Sequence, residues 1–261
     1  MGLNFTVAPV LVKHGALYFP NSQEAGDQFR DEDIAKWVEG GHFAWRWNDK
    51  GQLNEYRSQA FMDFCAQVAG QNLPIMELAC GPNLGLLPDI YSLNPNIEAT
   101  ATDACPILIE KWNDFFRANE PSANFNFAAF DALKMPIESG SVDIITSNIA
   151  FGSIRYGGVD QLLGIQEAYR VLKPGGRIYA VESEFEDPAI VQRVFDHYGK
   201  ENWFKNNRLN WAQRFAHCGF TVEQEIFLNR TLWRDWELDE PADALGVQIW
   251  GNTKAYVIRK P

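Results

Sequence analysis

Polar residues follow four successive apolar stretches of the chain: Glu77, Asp103, Asp131 and Asn148. Each stretch is typical of a buried strand in a parallel sheet, and such sheets bind ligands beyond the carboxyl ends of their strands. A carboxylate can accept both hydroxyl hydrogens of a vicinal diol or pair with an ammonium group, and an oxygen acceptor can bind an exocyclic amine. Together these acceptors suit a ligand with a ribose, an adenine and an amino-acid tail.

The loop that follows Glu77 has a composition that lets a ligand approach the backbone. Residues 79–85 are mostly small or turn-forming, so their amide groups can contact a ligand directly. Asp103 comes one strand and one helix after this loop, where a diol-binding acid is expected. We therefore predict that Glu77 pairs with the ammonium group, Asp103 holds the diol and Asp131 binds the exocyclic amine.

Strands and helices that must position these residues alternate from residue 74 onward. The predicted strands cover residues 75–78, 97–102, 124–130, 142–147, 177–181, 221–228 and 246–258. The predicted helices cover residues 84–93, 107–118, 159–172, 189–198 and 203–217, and residues 233–245 are predicted to form a long loop. This alternation predicts an α/β fold with a doubly wound, mostly parallel seven-stranded sheet whose last two strands are antiparallel.

The first 70 residues are predicted to form an N-terminal helical and aromatic extension, or a lid, on one compact unit of residues 71–261. Residues 6–12 could be an edge strand or an arm, and residues 18–21 are predicted to form a turn that exposes aromatics. Helices are predicted at 31–39 and, after Asn54 as a cap, at 55–68. The aromatics around His42 either pack in the core or cover a ligand pocket, and both alternatives stay open.

Composition excludes several classes of protein. The chain has 261 residues, 46% of them hydrophobic, a net charge of −11 and no run of Lys or Arg, which disfavours nucleic acid as a partner. Its four cysteines are too far apart in sequence to suggest a zinc site or a disulfide framework: Cys65, Cys80, Cys105 and Cys218. Without a visible leader or a spanning apolar segment, we expect a cytoplasmic protein that needs no metal and no membrane.

Five stretches, in order, resemble class I S-adenosylmethionine-dependent methyltransferases of the small-molecule branch. They are Glu-Leu-Ala-Cys-Gly-Pro-Asn at 77–83, Asp-Ala-Cys-Pro-Ile-Leu at 103–108, Phe-Asp-Ala-Leu-Lys-Met-Pro at 130–136, Ser-Val-Asp-Ile-Ile-Thr-Ser-Asn at 141–148 and Glu-Ala-Tyr-Arg-Val-Leu-Lys-Pro-Gly-Gly-Arg at 167–177. The resemblance covers residues 74 to 182 and implies a Rossmann-like methyltransferase fold. It also implies S-adenosyl-L-methionine as the cofactor.

The resemblance assigns roles within the cofactor site. By similarity, Glu77 and the backbone of residues 79–81 would hold the methionine end, and Asp103 would bind the ribose. Asp131 would read the adenine edge, and Asn148 would lie near the sulfonium. The full set of implied cofactor-binding residues is Glu77, Ala79, Gly81, Asn83, Asp103, Ala104, Asp131, Ala132 and Asn148.

The sequence departs from the family pattern in two places. Ala79 and Asn83 replace the first and third glycines of the loop; we expect a slightly wider loop at Ala79 and a tolerance of positive φ at Asn83. Residues 149–152 lack the histidine that many relatives carry, so this segment supplies no general base. The catalytic residue stays unassigned, with Glu182 and His42 as candidates that could equally be a solvated carboxylate and a half-buried surface histidine.

The implied activity is methyl transfer from S-adenosylmethionine to nitrogen or oxygen of a small-molecule acceptor by in-line displacement. One alternative is a methyltransferase-like binding or regulatory protein without catalysis. A second is an NAD-dependent oxidoreductase, which residues 79–84 disfavour because they do not match the Gly-x-Gly-x-x-Gly fingerprint.

Overall fold

A computed structural model describes residues 3–20, 43–54, 57–154, 159–198, 210–233 and 236–261. The strands are β1 (Leu11–Lys13), β2 (Ala16–Tyr18), β3 (Ile75–Leu78), β4 (Glu98–Asp103), β5 (Asn124–Ala129), β6 (Val142–Asn148), β7 (Leu172–Phe185), β8 (Thr221–Leu232) and β9 (Trp250–Arg259). The helices are α1 (Trp45–Asn48), α2 (Gln59–Ala69), α3 (Leu87–Leu93), α4 (Pro106–Asn119), α5 (Ala150–Ser153), α6 (Val159–Val171), α7 (Pro188–Tyr198), α8 (Trp211–His217) and α9 (Trp236–Ala244).

The described strands form one sheet in the order β1-β2-β5-β4-β3-β6-β7-β9-β8. Strands β5, β4, β3, β6 and β7 are parallel, and β9 lies antiparallel between β7 and β8. The predicted doubly wound fold and its reversed closing hairpin are confirmed. The predicted number of seven strands is wrong by two, because the β1–β2 hairpin extends the sheet by parallel pairing of β2 with β5.

The sheet is covered on both faces. Side chains of α2, α3 and α4 pack on one face with Ile75 of β3. Side chains of α6 and α8 pack on the other face with the next residue, Met76. This alternation along a strand buried on both sides explains why the parallel strands appear in sequence as continuous apolar runs.

The strand order changes direction between β3 and β6. From β3 the chain continues to β4 and β5 on one side, and it then crosses to β6 on the other side. Ligands of open α/β sheets bind in the crevice at the carboxyl ends of the strands beside such a switch point. The fold therefore places the loop after β3 at the expected ligand-binding position.

The aromatic pair at the end of β2 is buried, so the predicted exposed turn is wrong. Tyr18 and Phe19 are 6% and 0% exposed. Phe19 donates its backbone N–H to the carbonyl oxygen of Ala129 at 3.0 Å and packs against Phe5 and Phe130. Pairing with β5 thus carries these rings over the sheet instead of into solvent.

Several helices differ from the prediction; α3 begins at Leu87 and not at 84, and α8 begins at Trp211, after its N-cap, and not at 203. Helix α2 begins at Gln59 and not at 55, because Ser58 is its N-cap and accepts a hydrogen bond from the backbone of Phe61. Most of the predicted loop at 233–245 is helix α9, despite Pro241 in its interior. Ala242 of this helix packs with apolar residues of α7, and that burial stabilises a helix that the sequence disfavours.

The N-terminal aromatics pack in the core where the structure describes them. Trp47 is 2% exposed and lies against Tyr91 and Phe116. The predicted helix at 31–39 and His42 fall outside the described residues. That the first 70 residues form an extension or a lid stays a prediction.

Candidate cofactor site

The loop after β3 turns through residues with left-handed backbone conformations. Ala79, Gly81, Leu84 and Gly85 have φ angles of +49°, +59°, +60° and +58°. The left-handed region costs about 1–2 kcal/mol for a residue with a Cβ atom, so Ala79 and Leu84 are strained. Asn83 lies in a 3-10 turn, Gly81–Asn83, and does not have a positive φ, so its tolerance of that conformation is not used here.

Asp103 links the end of β4 to this loop. Its carboxylate accepts hydrogen bonds from the backbone N–H of Gly81 at 3.0 Å and of Cys105 at 2.9 Å. Burial raises the pKa of Asp103, and backbone N–H donors at Cys105, Gly81 and Ala104 oppose that rise. The structure therefore brings together two residues of the predicted site, Gly81 and Asp103, in direct contact.

Two further contacts hold the same loop, and the sequence analysis missed both. The indole Nε1 of Trp112 donates to the carbonyl oxygen of Gly81 at 2.9 Å. The backbone N–H of Ala44 donates to the carbonyl oxygen of Pro82 at 3.0 Å. Helix α4 and the N-terminal segment thus fix the loop from outside, and no local pattern in the sequence marks either contact.

Glu77 lies beneath the loop and is fully buried. Its Oε2 accepts hydrogen bonds from the hydroxyl of Thr146 at 2.6 Å and from the backbone N–H of Leu86 at 3.2 Å. Its Oε1 has no hydrogen-bond partner among the described residues. Burial raises the pKa of Glu77 to about 8, opposed by these two hydrogen bonds. A threonine inside the apolar strand β6 was the one sequence signal for this contact.

The other predicted cofactor residues lie at neighbouring strand ends. Phe130 donates its backbone N–H to the carbonyl oxygen of Asp103, which places Asp131 beside the end of β4. The Asp131 carboxylate accepts a hydrogen bond from the backbone of Leu133 at 2.9 Å. Asn148 is half-buried and ends β6 opposite Val181. Ala104 and Ala132 are also half-buried.

Glu182 does not lie in solvent, so that alternative is wrong. It is fully buried in β7 and accepts hydrogen bonds from the backbone N–H groups of Phe151 and Gly152 at 3.0 and 3.1 Å. Burial raises the pKa of Glu182 to about 8, and these hydrogen bonds oppose the rise. His42, the other candidate base, lies outside the described residues.

A buried charge cluster joins the N-terminal segment to the helix after the loop. The Asp89 carboxylate contacts Arg57 Nε at 2.6 Å and Arg46 Nη2 at 3.1 Å. Arg57 also donates to the carbonyl oxygen of Arg46 at 2.7 Å. Burial lowers the pKa of Arg46, and the charge of Asp89 opposes that shift. An arginine between two tryptophans was a signal for a buried charge that sequence reasoning did not use.

The residues of this loop fit an adenosyl sulfonium ligand. A Cβ atom at Gly81 would have no neighbour within 4 Å, so its backbone is open to close approach. Asn83 Oδ1 is buried without a hydrogen-bond partner among the described residues, and it can accept from a ligand donor.

Among the described residues, no group of three or more His, Cys, Asp or Glu side chains is arranged to hold a metal ion. No helix in the same part of the chain has the length and hydrophobicity to span a bilayer.

Sequence comparisons match the central part of the chain to a known kind of domain. Residues 76–180 match a methyltransferase domain. Demethylmenaquinone methyltransferase of Lactococcus lactis subsp. lactis (strain IL1403) is 29% identical over 128 residues, 49% of this chain and 49% of that protein. Ubiquinone/menaquinone biosynthesis C-methyltransferase UbiE of Cereibacter sphaeroides (strain ATCC 17029 / ATH 2.4.9) is 30% identical over 149 residues, 57% of this chain and 56% of that protein. The matched stretch thus spans about half the length of each relative.

Solved structures share the fold at low sequence identity. The [4+2]-cyclase SpnF has a TM-score of 0.57 at 17% identity, over 99% of both chains. Geranyl diphosphate methyltransferase in complex with SAM has a TM-score of 0.53 at 13% identity, over 99% of this chain and 98% of that one. The domain match over residues 76–180 and the shared fold confirm the resemblance to class I S-adenosylmethionine-dependent methyltransferases that the motifs predict.

Proposed function

We propose that this protein binds S-adenosyl-L-methionine at the loop after β3 and transfers its methyl group to a small-molecule acceptor by in-line displacement. One observation carries the proposal: the Asp103 carboxylate and the Gly81 backbone meet at 3.0 Å beside the switch point of the sheet. When bound, the cofactor supplies an activated methyl group, and the protein supplies position and exclusion of water.

In this proposal, each strand end has a distinct role. Asp103 and Ala104 bind the ribose and the adjoining adenine face, and Asp131 with Ala132 reads the adenine edge. Asn148 lines the pocket near the sulfonium. Glu77 is fully buried beneath the loop, and its Oε1 has no hydrogen-bond partner among the described residues, so in this proposal it supports the loop that holds the methionine end.

The sequence analysis predicts nitrogen or oxygen as the acceptor atom. The UbiE relative is named a C-methyltransferase, so carbon is added to the acceptor atoms to be tested. An oxygen or an amine must lose its proton before attack, and residues 149–152 carry no group that can take it. The proposal therefore favours acceptors that are already nucleophilic at neutral pH, such as a neutral amine, a phenolate or a quinol ring.

Calorimetric titration tests the cofactor assignment. We expect saturable binding of S-adenosylmethionine and of its product S-adenosylhomocysteine, and no heat from NAD. Binding of NAD alone would overturn the proposal in favour of an oxidoreductase.

Turnover with methyl-labelled S-adenosylmethionine tests catalysis separately from binding. The acceptor panel should contain amines, phenols and quinols, and we expect label in at least one class. Because the fold also carries the [4+2]-cyclase SpnF, binding does not by itself imply methyl transfer. Tight cofactor binding without any labelled product would favour the non-catalytic alternative.

A further inference from the structure

The turn that follows β6 adopts a backbone conformation that its sequence disfavours. Ile149 has a φ angle of +59°, in the left-handed region where a β-branched residue is an outlier. It directly follows Asn148, which the proposed function places near the sulfonium. Strained residues of this kind persist only where the surrounding structure holds them. The contacts around Ile149 therefore reveal what fixes this side of the site.

Backbone and side-chain hydrogen bonds hold Ile149 itself. Its N–H donates to the carbonyl oxygen of Val181 at 2.7 Å, which continues the pairing of β6 with β7 by one residue. Its carbonyl oxygen accepts from the hydroxyl of Ser153 at 2.7 Å. These contacts fix the two ends of the turn but leave the N–H groups at the start of helix α5 to be satisfied.

Glu182 satisfies those N–H groups from the neighbouring strand. Its Oε1 accepts from Phe151 and its Oε2 accepts from Gly152, so one carboxylate bridges two consecutive amides. A Cβ atom at Gly152 would lie 3.1 Å from Oε2, so a side chain there would require the Glu182 carboxylate to shift by a few tenths of an ångström. The hydroxyl of Ser147 lies 3.4 Å from Oε1. The buried Arg214 of α8 adds a favourable charge.

These contacts leave Glu182 unsuited to act as a general base. A base must reach the acceptor within hydrogen-bond distance, directly or through one water. The side chain of Glu182 is 0% exposed, and both of its oxygens already accept backbone hydrogen bonds. We propose that Glu182 is a positioning residue, which holds the strained Ile149 turn and through it fixes Asn148 in the cofactor site. The part that concerns Asn148 rests on the proposed function.

Amide hydrogen exchange on the full chain tests the positioning role without any ligand. Above pH 8, where the Glu182 carboxylate is ionised, Glu182→Gln replaces one oxygen by an NH₂ group that must face an amide N–H, so the turn loses one of its two acceptors. We expect exchange at residues 149–153 to accelerate about tenfold or more, with β3 and β4 unchanged. Glu186→Gln is the matched control, because this acid follows the same strand but is 42% exposed and pairs with Arg230. If the amides of residues 149–153 exchange in Glu182→Gln at the same rate as in the wild-type protein, the proposal is overturned.

Relief of the backbone strain provides a rescue that a merely structural acid would not show. Glycine adopts positive φ without cost, so Ile149→Gly should let the turn persist with a weaker anchor. We expect the double variant Ile149→Gly with Glu182→Gln to exchange more slowly at residues 150–153 than Glu182→Gln alone. Equal or faster exchange in the double variant would show that strain at Ile149 is not what Glu182 holds. Should Glu182→Gln fail to fold, Glu182→Asp tests the same anchor with a shorter carboxylate.

Titration with S-adenosylhomocysteine connects the turn to the cofactor site. We expect Glu182→Gln to raise the dissociation constant about fivefold or more, and Glu186→Gln to leave it unchanged. An unchanged constant in a variant whose turn exchanges rapidly would overturn the link to Asn148. Failure of the wild-type protein to bind this ligand would instead refute the proposed function, while the exchange experiment would still decide the role of Glu182.

Discussion

Glu77 and Gly85 are in direct contact beneath the loop that follows β3. A Cβ atom built on Gly85 would lie 1.9 Å from Glu77 Oε1 and 2.2 Å from its carboxyl carbon. Gly85 also has a φ angle of +58°, so both the backbone and the space at this position require glycine. The buried carboxylate and the glycine together set the height of the loop above the end of β3.

Gly85→Ala should therefore destabilise the protein and weaken cofactor binding. The added methyl must displace the Glu77 carboxylate, and overpacking of this kind costs about 1–3 kcal/mol in addition to the backbone strain. Gly140→Ala is the matched control, since Gly140 has a φ angle of +66° but no atom within 4 Å of its would-be Cβ. Urea denaturation of both variants measures the difference in the free energy of unfolding. Equal losses would show that Glu77 yields without cost.

Asp103→Ala should weaken binding of S-adenosylmethionine by about 2 kcal/mol or more, the scale of a lost charge-assisted hydrogen bond. The substitution removes the proposed ribose acceptor and also the acceptor for the backbone N–H of Gly81. Asp114→Ala is the control, because Asp114 of the adjoining helix is 54% exposed and pairs only with His14 among the contacts described for it. Calorimetry gives both dissociation constants. An unchanged constant for Asp103→Ala would remove this residue from the site.

Asp89→Asn should be among the most destabilising single substitutions in the described part of the chain. It leaves the buried guanidinium groups of Arg46 and Arg57 without their carboxylate, and breaking a buried ion pair in this way costs about 3–5 kcal/mol. Asp143→Asn breaks a pair with Lys173 in which both side chains are partly exposed, and it should cost about 1 kcal/mol or less. Chemical denaturation compares the two variants. A similar small loss in both would mean that solvent reaches the Asp89 cluster.

The stability of the protein should fall as the pH rises from about 4.5 toward about 8. Burial raises the pKa of Glu77 and of Glu182 from 4.5 to about 8, so across this range the folded state binds protons that the unfolded state has released. Each group then lowers the free energy of unfolding by up to about 1.4 kcal/mol per pH unit. Below pH 4.5 the contribution is fully present, and it is lost as the pH passes 8.

Glu182→Gln isolates one of these two contributions, because glutamine does not titrate. Urea denaturation at several pH values should give a shallower decline for the variant than for the wild-type protein. Parallel curves would show that Glu182 does not take up a proton in the folded state.

The sequence by itself determined the parallel sheet and which polar residues lie at the ends of its strands. Apolar runs bounded by turn residues mark the central strands. Asp103, Asp131 and Asn148 follow directly after these runs, so the sequence places them at strand ends. The order of the five motifs along the chain then indicated the resemblance to methyltransferases, since each motif is a short stretch that can be read without knowing the fold. The edge hairpin β1–β2 was not determined in this way, because a three-residue strand carries too little pattern to distinguish it from an arm.

Only the tertiary structure decided which polar groups face each other. Three such contacts are those of Gly85 with Glu77, of the Trp112 indole with Gly81, and of Glu182 with the turn after β6. They join residues that lie 8 to 31 positions apart in the sequence. Asp89 likewise meets Arg46 across 43 residues of chain. Burial and hydrogen bonding of such groups depend on packing between elements, and no local propensity encodes that packing. The sequence could therefore name the acceptors of the site, but the fold decided which carboxylates lie at the strand ends around the loop and which are supports buried beneath it.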